Sequence, residues 1–257
     1  MVVSEEQGTE KEPSLLFLHG AGGNACIWEF QAEHFQGKHR VYRLELPGHG
    51  GKSSSDGEEN ISAYSKWVRS AVERLFPSGG FTLIGHSMGG AIALELAAGF
   101  LTGLHSLVLV GTGAKLGVTP IIFTMLRENP DDFFRAIDRT AFWEETSPQI
   151  RDRFNAIVKK CPPSTIAKDF TACDRFDVRE NLKNIRIPTL IACGEQDLLT
   201  PVKSSKYLHE KIVNSSLVII PKAGHMVMSE QPDLLNRAIE AFLSTPSVAE
   251  LNKRINP

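Results

Sequence analysis

Short apolar runs and longer amphipathic stretches take turns along this chain. The runs are Ser14-Leu15-Leu16-Phe17-Leu18, Phe81-Thr82-Leu83-Ile84 and residues 105–110, 187–193 and 217–220. Runs of four to seven mostly apolar residues leave little polar face, which predicts strands buried on both sides of a parallel sheet. Arg40-Val41-Tyr42-Arg43-Leu44-Glu45-Leu46 reads as one more strand. Between the strands, Asn24 can cap a helix carrying Ile27, Trp28, Phe30 and Phe35. Residues 61–76, 91–98 and about 232–243 have helical patterning as well. Strands alternating with helices predict an α/β fold, a mostly parallel sheet flanked by helices on both faces. The right-handed crossover rule collects the C-terminal ends of such strands on one edge, where ligands bind.

The alternation stops between residues 113 and 186. Only helical patterns occur there, over 121–128, 131–143, 149–160 and 165–176, punctuated by Pro120, Pro130, Pro148 and Pro162-Pro163 near their starts. A helical lid inserted into a core made of residues 1–112 and 187–257 is the organisation this predicts. Most of the insertion's apolar side chains are expected to form its own small core. Phe123, Phe134 and Trp143 are the candidates for lining a substrate pocket, since such pockets are mostly apolar.

Composition narrows the partners. With a formal net charge of −2 and no long basic run, nothing favours nucleic acid or an anionic membrane surface. No apolar stretch approaches the ~18 residues of a membrane span, and the N-terminal residues lack a secretory pattern. Four cysteines (Cys26, Cys161, Cys173, Cys193) without a C-x-x-C pair point to reduced thiols in a cytoplasmic protein and to no metal site. Whether the chain is a monomer or a dimer is not written in the pattern.

The chemistry centres on Gly85-His86-Ser87-Met88-Gly89-Gly90, set between an apolar run and a helical one. A strand-turn-helix with Gly-x-Ser-x-Gly bends so sharply that its serine is held in a strained conformation at the positive end of a helix. Gly85 and Gly89 are expected to be small because side chains there would collide across the turn. A serine hydroxyl needs a base within hydrogen-bond reach. His86 adjoins Ser87 but points elsewhere, as successive residues do, and reads as structural. His19 and His49 sit in Gly-rich turns, where turn-stabilising hydrogen bonds explain them. His34, His39, His105 and His209 lie in helical or edge contexts. His225 follows the last strand in Pro221-Lys222-Ala223-Gly224-His225 and is the candidate base. Asp197, directly after the strand ending at Cys193, is the candidate acid that would fix the base's tautomer. Glu195 aims elsewhere, and Asp174 and Asp177 suit capping or salt bridging. The backbone amides of Met88 and Ala21 are the expected oxyanion donors.

These motifs together, with His19-Gly20-x-Gly-Gly and Pro47-Gly48-His49-Gly50, resemble the α/β-hydrolase superfamily across residues 15–243. The resemblance implies a Ser-Asp-His order of catalytic groups, which Ser87, Asp197 and His225 follow, under a helical lid and without a cofactor. It also implies two antiparallel strands before residue 15; residues 1–13 have room for one, so about seven strands are expected. Relatives that use Asp at the nucleophile position are disfavoured by Ser87. Those that cleave carbon–carbon bonds usually carry an Arg just after the glycines or in the lid, and Ala91 after the glycines here weakens that reading. A serine hydrolase of small to medium esters, similar to carboxylesterases and enol-lactonases, is the reading that results. Its small-molecule substrate would be an ester or lactone. A carbon–carbon hydrolase and a non-catalytic ligand-binding protein on the same scaffold are the alternatives.

Overall fold

A computed structural model describes residues 3–6, 13–51, 56–77 and 80–245. The predicted loop at 52–60 and turn at 77–80 fall partly outside them. In chain order the elements are β1 (Val3–Glu6), β2 (Ser14–Leu18), α1 (Glu29–Phe35), β3 (Val41–Leu44), α2 (Ile61–Leu75), β4 (Phe81–His86), α3 (Met88–Ala98) and β5 (Leu104–Val110). Four helices follow without a strand: α4 (Pro120–Glu128), α5 (Pro130–Thr140), α6 (Pro148–Val158) and α7 (Pro163–Arg175). The chain then returns through β6 (Thr189–Gly194), α8 (Val202–Lys211), β7 (Ser215–Ile220), the single-turn α9 (Val227–Glu230) and α10 (Pro232–Ser244).

The sheet has the order β1-β3-β2-β4-β5-β6-β7. Six strands are mutually parallel, and β1 adds antiparallel to β3 at one edge. The unbroken apolar runs are explained by burial on both faces. Leu16 and Leu18 of β2, Leu83 of β4, and Leu107 and Leu109 of β5 enter one core layer, with α2 and α3. Their alternates Leu15, Phe17, Ile84, Val108 and Val110 enter the other, with α1, α10 and much of the insertion. Every second side chain therefore crosses the sheet, and neither face is left polar.

The prolines of the insertion start its helices. Pro120, Pro130, Pro148 and Pro163 each occupy a first-turn position, where the missing N–H has no intrahelical partner to lose. Helix α8 was not anticipated, because its Val202-Lys203-Ser204-Ser205-Lys206-Tyr207 opening has weak apolar periodicity; it buries only Ser205 and Leu208. Among the described residues no helix is long and apolar enough to cross a membrane. Cys161, Cys173 and Cys193 are buried free thiols, and Cys26 is exposed.

Candidate active site

β4 delivers Ser87 and α3 carries the chain away from it, so the whole reversal falls on one residue. Ser87 has φ 52° and ψ −116°, a combination that costs a non-glycine residue free energy and needs surrounding structure to hold it. That hold is visible: the Ser87 N–H donates to the Val110 carbonyl (3.0 Å), and the Thr112 hydroxyl donates to the Ser87 carbonyl (2.8 Å). A Cβ on Gly85 would lie 2.4 Å from the Gly89 carbonyl oxygen, so this glycine is required across the turn as expected. Gly89 is required for a different reason. Its Cβ would meet the Leu18 carbonyl at 2.5 Å, which places the start of α3 directly against the end of β2.

The strand ends bring Asp197 and His225 together. Gly194 and Gly224 touch so closely that a Cβ on Gly194 would fall 2.1 Å from the Gly224 carbonyl oxygen. The Gln196 N–H donates to the Ala223 carbonyl (3.0 Å), stitching the two loops. On this frame His225 Nδ1–H donates to Asp197 Oδ2 at 2.8 Å, both side chains being almost fully buried. Asp197 Oδ1 also accepts from the Leu199 and Thr200 amides (2.9 and 2.8 Å), and Oδ2 from the Thr200 hydroxyl (2.7 Å). Burial alone would raise this carboxyl; the His225 ring and the Thr200 donors outweigh it and hold Asp197 below the ordinary aspartate range. The motifs do not single out Thr200, although an Asp followed three residues later by Thr is a legible local pattern.

His86 is a structural neighbour. Its Nε2–H donates to the His225 carbonyl (3.1 Å) and its ring lies 4.5 Å from the His225 ring. Complete burial, and then the adjacent His225, push its pKa well below the usual value, so the ring is neutral. His19 Nδ1–H donates to the Gly20 carbonyl (2.9 Å) while Nε2 accepts from the Leu46 amide (3.2 Å), bracing one turn against the next. Glu195 is exposed and Asp174 accepts from the Val118 amide, while Asp177 forms the salt bridge expected of it, with Arg179.

Ser87, His86 and His225 open onto a cavity of about 650 Å³ between the sheet edge and the insertion. Its walls are mainly apolar, with Ile122, Met125, Phe133, Ile137 and Phe170 contributed by the insertion. Phe123, Phe134 and Trp143 are not on its walls. One step along a helix turns a side chain by about 100°, and Phe133, not Phe134, faces inward. The Trp143 backbone instead donates to Glu230, a carboxylate that also accepts from Gly224 N–H and the Thr146 hydroxyl. The insertion is thereby tied to the His225 loop, as it is by the His225 N–H donating to the Ala141 carbonyl (2.8 Å).

Gly20-Ala21-Gly22-Gly23 is a turn closed by Gly23 N–H to the Gly20 carbonyl (3.1 Å), with Gly22 at φ 64°. Ala21 lines the cavity beside Ser87. Met88 opens α3, where first-turn amides have no helical partner. The turn is anchored from the insertion by a residue outside every recognisable motif. Asp169 of α7, fully buried, accepts from Gly22 N–H (2.8 Å), His49 Nε2–H (2.8 Å) and the Tyr64 hydroxyl (2.6 Å). Its signal lies in helical spacing: with Thr165, Ile166, Ala172 and Cys173 it forms the buried stripe of α7. A carboxylate on an apolar stripe needs partners. Among the described residues no cluster of three or more His, Cys, Asp or Glu is arranged to hold a metal ion.

A model of the alpha/beta hydrolase family matches residues 15–238. Over 244 residues the chain is 29% identical to 3-oxoadipate enol-lactonase 2 of Acinetobacter baylyi, covering 92% of this chain and 90% of that protein. Over 246 residues it is 27% identical to a pimeloyl-acyl-carrier-protein methyl ester esterase of Aeromonas hydrophila, covering 90% of this chain and 95% of that one. The enol-lactonase crystal structure from Burkholderia xenovorans LB400 shares the fold, with a TM-score of 0.88 at 21% identity over 95% of this chain and 96% of the other.

Proposed function

The chain belongs to the alpha/beta hydrolase family, and on that premise we propose that it is a serine hydrolase of carboxylic esters with small to medium apolar acyl groups. The observation that carries the proposal is the 2.8 Å His225–Asp197 bond opening onto the same cavity as a serine held at φ 52°. Asp197 orients the ring so that Nε2 is free to take the Ser87 proton. Ser87 Oγ attacks the ester carbonyl, and the developing oxyanion is held by the amides of Met88 and Ala21. His225 returns the proton to the leaving alkoxide as the C–O bond breaks, leaving an acyl-serine. A water deprotonated by His225 then attacks that ester; collapse releases the acid and returns the proton to Ser87 Oγ.

The helical insertion acts as a lid whose inner wall receives the acyl chain. The cavity's volume and apolar lining suit a chain of this size. Lactones are the second reading, favoured by the similarity to 3-oxoadipate enol-lactonase 2. A panel of p-nitrophenyl esters from acetate to decanoate, with simple lactones beside it, tests both on wild type and Ser87→Ala. Turnover is expected for wild type, strongest for one acyl length, and lost in Ser87→Ala. Equal turnover by Ser87→Ala would remove the serine mechanism. Labelling of Ser87 by a fluorophosphonate probe without turnover of any ester or lactone would favour a binding protein.

A further inference from the structure

The amide that would hold the oxyanion sits in a turn which the core does not fix by itself. Two of the turn's amides are occupied: Gly23 N–H by the Gly20 carbonyl, and Gly22 N–H by Asp169 of the insertion. Among the described residues the Ala21 N–H, which directly precedes them, meets no acceptor. The anchor is itself held in place. His49 faces acceptors at both ring nitrogens, Nδ1 to the Pro47 carbonyl (2.9 Å) and Nε2 to Asp169 Oδ2 (2.8 Å), so both nitrogens carry hydrogens and the ring is an imidazolium. Tyr64 of α2 donates to the other carboxylate oxygen and accepts from the Glu58 amide (2.9 Å). Asp169 is thus a charged hub joining α7, α2 and the turns after β2 and β3. A Cβ on Gly22 would approach Ile166 of α7 at 3.3 Å, so turn and helix are in direct contact as well.

We propose that Asp169 is a positioning residue for catalysis: by accepting from Gly22 N–H it aims the Ala21 amide at the oxyanion, so the insertion completes the oxyanion-binding turn. The proposal rests on the Ser87 reading above. It assigns α7 a role in the chemical step as well as in enclosing substrate. Each oxygen of this carboxylate is committed to named donors, Oδ2 to Gly22 and His49 and Oδ1 to Tyr64, which fixes its geometry, and breaking such a buried pair also costs stability.

Two variants separate geometry from stability. Asp169→Ala removes the acceptor and the charge. Asp169→Asn removes the charge but keeps an oxygen able to accept from Gly22 N–H. Misplacing a reacting group by ~1 Å costs about 10²-fold, so kcat for a p-nitrophenyl ester is expected to fall about 10- to 100-fold in Asp169→Ala, with KM within about threefold. The rate of fluorophosphonate labelling at Ser87 should fall in parallel. In Asp169→Asn most of kcat should return, while the melting temperature drops about as far as in Asp169→Ala. Ile239→Val, a core change in α10, supplies a destabilised control with unaltered kcat. If Asp169→Ala does not fold, Asp169→Leu/His49→Phe removes both charges and should show the same loss of kcat. Loss of kcat in step with melting temperature across all variants, or full kcat in Asp169→Ala, would overturn the proposal. Nitrogen NMR of the His49 ring in wild type should show both nitrogens protonated, and a single protonated nitrogen would break the hub independently of any activity. Absence of both turnover and labelling in wild type would instead defeat the Ser87 reading, and the catalytic claim for Asp169 with it.

Discussion

Two histidines lie side by side at this site, and their hydrogen bonds give them different work. His225 directs Nδ1–H to Asp197, whereas His86 directs Nε2–H to the His225 backbone and buries its other nitrogen. His225→Ala should therefore lower kcat by a factor on the order of 10⁴ or more, the scale on which a triad base acts. His86→Ala leaves the His225 carbonyl without its buried donor and should cost about 1–3 kcal/mol of stability, with a smaller loss of kcat. Steady-state kinetics and thermal melts on the two variants check this, and equal losses of kcat would contradict it. The placement of His225 at this sheet edge is legible because a Gly-rich loop after a late strand is a local signal. The commitment of His86 Nε2 was not, because its acceptor lies 139 residues away.

Helix boundaries were the most legible elements, since caps and first-turn prolines are written in neighbouring residues. Asn60 accepts from the Ala63 amide at 2.8 Å and starts α2. Asn60→Ala should destabilise the protein by about 1 kcal/mol, measured by urea unfolding with an unchanged slope. Tyr64 sits on the buried face of this same helix, so a frayed start of α2 reaches the Asp169 hub. The insertion shows the limit of local reading. Its pattern predicts the helices within a few residues, yet the aromatics it offers for the pocket, Phe123, Phe134 and Trp143, do not line the cavity. An amphipathic pattern tells which stripe is buried; it does not tell whether that stripe meets a neighbouring helix or an empty space.

At the scale of the whole molecule, titratable groups buried around the site make stability depend on pH in both directions. Burial pushes the His49 ring down, but the Asp169 carboxylate outweighs this and raises it to about 11. A histidine raised in the folded state contributes stability that is complete below its unfolded value of about 6.5 and is lost as pH climbs toward the folded value. The melting-temperature advantage of wild type over His49→Gln/Asp169→Asn should therefore shrink between about pH 6.5 and about 11, and a constant advantage would rule this out. His86 works in the opposite sense. Its depressed value means that stability is complete above about 6.5 and lost as pH falls and the unfolded ring takes up a proton. Asp197, also depressed, adds its own loss below about 3.9.

The strands, the helix starts, the turn at Ser87 and the loops that carry His225 and Asp197 were determined by the sequence itself. Each depends on the spacing and backbone freedom of a few consecutive residues, and those interactions are short-ranged. Tertiary structure decided what the insertion does: Phe133 rather than Phe134 facing the cavity, Glu230 holding Trp143 and Gly224, Asp169 holding Gly22. Such pairings depend on the rotation and docking of whole helices, to which residues as far as 147 positions apart contribute. Asp169 left a trace, a carboxylate on an apolar stripe, that says a partner must exist. Only packing could decide that the partner would be the turn beside the serine.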